Sequence, residues 1–295
     1  MESIREIKHR IGTVQSTLKI TSAMKMVASA KLHHAEAAIE GMHPYQAHMS
    51  GILVNFLRST SSFGHSAYVA VRPVRNVSLV CFASNTALCG GYNANILREL
   101  VRLLEMYHEK GLKPENIRIY AVGKKMEESV RHLGYTSQGN YQAMISLPSY
   151  APAYELAEQL TQSFLAGETD RVELLYHRFR SVASHDVVTD TYLPIDLAQM
   201  QNEMASDAPA SSVDYIVEPS EEELLAALLP EVLKLKLFTA LLDAAASEHA
   251  SRMIAMQTAS ENAEQLITDL TVQYNKSRQQ AITNELLDIV GGSMQ

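Results

Sequence analysis

Apolar residues recur alternately three and four positions apart through the first 42 residues: Ile4, Ile7, Ile11, Val14, Leu18, Thr21, Lys25, Ala28, Leu32, Ala35, Ile39 and Met42. Only Thr21 and Lys25 interrupt the stripe. A mean spacing of 3.5 keeps one seam of a helix turned toward a partner helix over many turns. The first proline is Pro44, and Gly12 and Gly41 are the only glycines before it. The pattern therefore predicts one long helix that needs an equally long partner. A rigid two-helix rod is a mechanical element rather than a pocket.

The other end of the chain offers that partner. Ser220 followed by Glu223 reads as a capping box, with acidic residues on the positive end of the helix dipole. From there to about Val290 only Pro230 interrupts a helical pattern, and it is expected to kink or divide the helix. Met253, Met256, Ala263, Ile267, Leu270, Tyr274 and Ala281 continue a stripe with Ser260 and Ser277 at its weak points. Fifty helical residues make a rod of about 75 Å. The N-terminal helix is expected to run to about Arg58, with a kink or break near Pro44, and the small polar run Ser59–Ser66 to form a loop.

Between the helices the period changes. Val77–Ala83 and Ile117–Val122 are β-rich apolar runs, each followed by glycine and then a helical pattern. Asn93 is placed to cap the first of these helices and Gly111 to end it. Lys124–Leu133 and Pro152–Leu165 read as further helices, and Arg171–Phe179 and Val187–Leu193 as further strands. Alternation of this kind implies a mostly parallel sheet with helices on its faces. Residues 201–213 read as a polar linker. The fold class is thus α/β plus a long antiparallel coiled coil. Its expected parts are an N-terminal coiled-coil helix at 1–58, a Rossmann-like α/β domain at 75–200 and a C-terminal coiled-coil helix at 215–295.

Composition excludes several function classes. No run reaches the roughly 20 apolar residues of a membrane span. Met1–Arg5 leads straight into the amphipathic helix, with no apolar signal region. Residues 1–35 carry six Lys or Arg against Glu2 and Glu6, a net +4, so the net −8 of the whole chain puts −12 on the remainder. A basic helix suits an acidic protein wall, an anionic lipid surface or nucleic acid, or is simply the solvated face of a coiled coil. Gly90-Gly91 lacks the third glycine and the downstream acid of a dinucleotide fingerprint, and no Gly-Lys-Ser/Thr loop is present. Cys81 and Cys89 have no metal spacing and are expected to stay unbridged. His33 and His34 are adjacent on a helix and point in different directions, and no histidine pair has metal-helix spacing with carboxylate support. No catalytic, cofactor-binding or metal-binding residue is expected.

Three separated segments resemble one family. Ile20-Thr-Ser-Ala-Met-Lys-Met-Val-Ala-Ser-Ala-Lys-Leu32, Ser247-Glu-His-Ala-Ser-Arg-Met-Ile-Ala-Met256 and Tyr274-Asn-Lys-Ser-Arg-Gln-Gln-Ala-Ile-Thr-Asn-Glu-Leu286 are similar to signatures of the gamma subunit of bacterial F-type ATP synthases. Leu88-Cys89-Gly90-Gly91 resembles that family's loop after the first strand, and the order of the four matches.

The resemblance implies a rotating central shaft made of the paired terminal helices inside a ring of three alpha and three beta subunits. The α/β domain would stand at the foot, with the epsilon subunit and the c-ring. Ion flow would turn the shaft and drive ATP synthesis or hydrolysis in the ring. The chain itself would be non-catalytic, bind no nucleic acid, and lie at the cytoplasmic face of the bacterial inner membrane through the c-ring alone. The motif match implies rotor–stator contacts at Met24, Lys25, Arg278 and Gln279. Leu286, Leu287, Ile289 and Val290 would form an apolar bearing tip.

Two departures stand out. Asn85-Thr86-Ala87 replaces the family's common Asp-Arg-Gly, and Ser22 and Lys25 replace common Lys and Glu. Two other readings fit the same outline. One is a nucleotide-dependent α/β enzyme dimerised by a coiled coil. The other is a nucleic-acid-binding coiled-coil adaptor, which would need basic residues beyond the first helix.

Overall fold

The computed structural model describes residues 3–59, 67–196 and 220–292. Its elements are α1 (Ile4–Ser59), β1 (Val77–Phe82), α2 (Tyr92–Glu109), a 3-10 turn at Pro114–Asn116, β2 (Ile117–Val122), α3 (Lys124–His132), α4 (Gln142–Ser146), α5 (Tyr150–Leu165), β3 (Arg171–Ser181), β4 (Ser184–Leu193) and α6 (Glu221–Gly292). The linker expected at 201–213, and all but the first residue of the loop expected at Ser59–Ser66, lie outside the described residues.

Pro44 and Pro230 both sit inside helices that run on through them. Of the kink or break expected at Pro44 and the kink or division expected at Pro230, the break and the division do not occur. A proline removes one backbone hydrogen bond, whereas packing of the turns around it holds a helix together. Leu229, Val232 and Leu233 are buried beside Pro230, and Ile39 and Leu53 are buried on either side of Pro44. Ser220 caps α6 through its Oγ, which accepts the Glu223 N–H at 3.2 Å.

The chain forms two compact units, Met1–Ala30 with Arg252–Gln295 and Lys31–Ser251. The second unit holds a four-stranded sheet in the order β2-β1-β3-β4. β1 runs parallel to both β2 and β3, and β4 returns antiparallel beside β3. Every residue of β1 is buried, as expected of a central strand covered on both faces. One face packs Leu79, Cys81, Ile119 and Leu175 against Ile96, Leu100 and Leu104 of α2 and Met126 and Val130 of α3. The other packs Val80, Phe82, Val122 and Leu174 against Leu156, Leu160 and Phe164 of α5, Leu53 of α1, and Leu237, Leu241 and Ala245 of α6. The sheet is thus the wall on which the inner parts of both terminal helices are seated.

In the first unit the outer ends of α1 and α6 pair. Thr21 meets Ser260 and Lys25 meets Gln257, so position numbers rise on one helix as they fall on the other, and the pair is antiparallel. Ile4, Ile7, Ile11, Val14, Leu18, Thr21, Lys25 and Ala28 are all buried or half-buried, and residues between them are mostly exposed. The same holds on α6 for Met253, Met256, Ser260, Ala263, Ile267, Leu270, Tyr274, Ser277 and Ala281. Both heptad stripes form the seam.

Candidate functional site

The paired helices begin with a reciprocal cap. The Ser3 N–H donates to the Glu6 carboxylate at 2.8 Å, and the Glu6 N–H donates to Ser3 Oγ at 3.3 Å. The Ser3 N–H holds the Glu6 carboxyl below its ordinary range. The sequence carries the Ser-x-x-Glu signature here, one position ahead of the stripe, outside the heptad pattern.

Ser3 marks one end of the pairing of α1 with α6 among the described residues. Continuing the Thr21–Ser260 and Lys25–Gln257 register, Ser3 falls opposite about residue 278 of α6. Arg278 and Gln279 thus stand where the described part of α1 ends, and both are exposed. Beyond Ala281 the helix is exposed on every side through Val290, a stretch of about 13 Å. Leu286, Leu287, Ile289 and Val290 are 58%, 64%, 68% and 56% exposed. Such a run of uncovered aliphatic residues on a single helix is what a surrounding sleeve would require.

Met24 and Lys25 lie half-buried along the edge of the seam. The Lys25 ammonium donates to Gln257 Oε1 at 2.7 Å, and Gln257 Nε2 in turn donates to Glu261 Oε1. The cation that departs from the family pattern is therefore engaged by α6. Ser22, the other departure, lies 3.4 Å from Ser260. Near them Ile20, Met26 and Val27 are about 60% exposed, which adds apolar surface to the cationic face of α1. The cross-helix polar contacts escaped sequence reasoning because a stripe identifies a seam but not which residues share a level across it.

In the described part of the α/β block the loop after β1 is held by packing and local hydrogen bonds. After β1, Leu88 and Gly90 both take positive φ (68° and 58°) to turn the chain into α2. Asn93 does not cap α2, whose cap position is Gly91 with no side-chain bond. It lies inside the helix instead, where its Oδ1 accepts the Ser84 N–H at 3.1 Å and its Nδ2 donates to Cys89 Sγ at 3.2 Å, tying the strand end to the helix start. Cys89 has Ser84 and Asn93 beside it rather than a base, and Cys81 is fully buried, with a thiol pushed well up by burial. Both cysteines are free. Among the described residues no cluster of three or more His, Cys, Asp and Glu is placed to hold a metal, and no helix is long and apolar enough to cross a membrane.

Comparison with known proteins accounts for the chain end to end. The profile of the family described as ATP synthase matches residues 3–294. The ATP synthase gamma chain of Phocaeicola vulgatus is 54% identical over 294 residues, covering 100% of both chains. A chain from the Tetrahymena thermophila mitochondrial ATP synthase, central stalk and c-ring, superposes with a TM-score of 0.60 at 25% identity, covering 82% of this chain and 99% of that one. A chain from the rotor of the Euglena gracilis mitochondrial ATP synthase shares the fold at a TM-score of 0.59 and 18% identity, over 95% and 98% of the two chains. Paired terminal helices and a small, mostly parallel sheet, matched over the length of the chain, place it in the ATP synthase gamma chain family.

Proposed function

We infer that the chain is the central-stalk rotor subunit that couples ion flow through a c-ring to ATP synthesis and hydrolysis at the sites of an alpha–beta ring. Its own role is mechanical and non-catalytic. Its place is the cytoplasmic face of the bacterial inner membrane, reached through the c-ring, with an epsilon subunit beside the α/β block. Residues 1–58 and 215–295 are the shaft and residues 75–200 the foot. The observation that carries the reading is the uncovered end of α6, where Leu286, Leu287, Ile289 and Val290 project past the register of α1.

A shaft that turns inside a ring must avoid deep energetic wells, because each 1.36 kcal/mol of extra binding in one orientation slows escape tenfold. Aliphatic side chains provide contact without direction, which suits the tip. Arg278 and Gln279 provide the few directional grips, since a guanidinium fork holds a carboxylate in two parallel hydrogen bonds. Met24 and Lys25 contribute a further contact lower on the shaft.

The deciding experiment mixes the purified full chain with alpha and beta subunits and follows gel filtration. Co-elution with an alpha–beta hexamer, and ATP hydrolysis dependent on the added chain, are expected. Separate elution would overturn the reading.

A further inference from the structure

The seam of the first unit is interrupted by a buried polar level at Thr21 and Ser260, and there its polar groups form a connected chain. Thr21 Oγ1 donates to the Leu18 carbonyl at 3.1 Å. Either hydroxyl can donate in the 2.8 Å contact between Thr21 and Ser260, and Ser22 joins them through a longer 3.4 Å contact to Ser260. Thr21 and Ser260 are each only 8% exposed. One turn away Lys25, Gln257 and Glu261 make a second crossing, with cation and carboxylate joined through the amide.

We infer that Thr21, Ser22 and Ser260, supported by Lys25, Gln257 and Glu261, form a register pin that sets the axial alignment of α1 on α6. Apolar heptads alone are nearly indifferent to sliding by one repeat, and a single polar level in such a seam selects one alignment. Moved by seven residues, Thr21 would face Met253 or Ile267 and Ser260 would face Val14 or Ala28. The hydroxyl of Ser260 would then be buried against aliphatic groups. The same slide displaces the end of α6 relative to α1 by about 10 Å. The pin therefore fixes how far Arg278 and the apolar tip stand beyond α1. Its functional consequence rests on the rotor reading, whereas the alignment itself does not.

The test is a distance measurement on the isolated full chain, independent of any ring. Spin labels on bioorthogonal side chains replace the exposed Ser29 and Val272, which are about 20 residues, or about 30 Å, apart along the seam. The native chain should give one narrow distance. In Thr21→Val with Ser22→Ala and Ser260→Ala, both sides of the polar level become apolar, so helix content and melting temperature should hold. A second population displaced by about 10 Å should then appear. Thr21→Ser should retain the single distance. If the triple variant does not fold, Ser260→Ala alone decides, and a broadened distribution is expected. One narrow native distance in every folded variant would overturn the pin.

Discussion

Tyr92 of α2 stacks on His177 of β3, with ring centroids 4.1 Å apart and planes 21° from parallel. The Tyr92 hydroxyl reaches on to donate to the Ala244 carbonyl of α6 at 2.9 Å, so one aromatic pair ties helix, sheet and terminal helix together. His177 is 1% exposed, and burial, with the neighbouring His185 adding to it, pushes it down to about 3. In the unfolded chain a histidine takes up its proton near pH 6.5. The unfolded state thus binds the proton that the native state refuses, and stability falls as pH drops from about 6.5 toward about 3. His177→Phe keeps the stack and removes the proton site. Its melting temperature should depend less on pH between 6.5 and 4 than that of the native chain. Parallel pH curves for the two proteins would show that the acid limb originates elsewhere.

Asp243 of α6 works with the opposite sign. Burial pushes its carboxyl up to about 7; the Arg178 guanidinium opposes that shift and the Asp190 carboxylate adds to it. Arg178 is already committed to Asp190 at 2.6 Å, and the Tyr176 hydroxyl donates to the same Asp190 oxygen at 2.8 Å. One guanidinium therefore serves two carboxylates. The native state holds a proton that the unfolded chain releases near pH 3.9, so the stabilisation from that proton is complete below about 3.9 and is lost as pH rises through about 7. Asp243→Asn should raise the melting temperature more at pH 8 than at pH 5. An equal change at both values would place the neutral-range proton on another group.

Asn85 ties the loop after β1 to two helices through its side chain. Its Oδ1 accepts the Lys124 N–H at 2.8 Å at the start of α3, and its Nδ2 donates to the Gln142 carbonyl at 2.8 Å and to Ser146 Oγ at 2.5 Å on α4. An aspartate accepts but cannot donate. Asn85→Asp should retain the first bond and set an oxygen against the Gln142 carbonyl, costing about 1–3 kcal/mol. The loss should be local, seen as faster amide exchange across Gln142–Ser146 while β1 stays protected. Unchanged exchange in α4 would mean that the amide bonds do not hold it.

What the sequence discloses, and what it hides, follows from the range of each interaction. Ile7, Ala28, Leu32, Met256 and Leu270 are buried where the heptads predict, because a repeat over dozens of residues averages out local exceptions. Thr21 and Ser260 were each visible as flaws in a stripe, but that the two flaws face each other depends on the register of helices more than 200 positions apart. α4 is a single turn, too short for any period to show. Asn93 has the residue type of a cap, yet it is drawn inward by Ser84 and Cys89, partners that a linear reading ranks no higher than its own helix. At Pro44 and Pro230 local geometry argues for a kink or a break, and the packing that keeps each helix continuous is non-local. Of the proposed contacts, Arg278 and Gln279 rest on motif likeness and the tip on its apolar composition, and their exposure is new information from the fold.

Shaft integrity and ring grip should separate cleanly in a pair of substitutions. Val14 is half-buried on the seam in the interior of α1, and a proline there removes a backbone bond and clashes with the preceding turn, costing about 3 kcal/mol or more. Val14→Pro should therefore lower helix content and prevent assembly with alpha and beta subunits. Arg278 is exposed at the level where the described part of α1 ends, so Arg278→Ala should leave circular dichroism and melting within the roughly 0.5 kcal/mol typical of surface changes. Assembly should also survive, because the seam is untouched. What should fall is coupled ATP turnover in the reconstituted complex, since a grip used during rotation acts between orientations rather than on folding. A large loss of helix signal in Arg278→Ala would make the guanidinium a structural element of α6, and the division between shaft and grip would have to be drawn elsewhere.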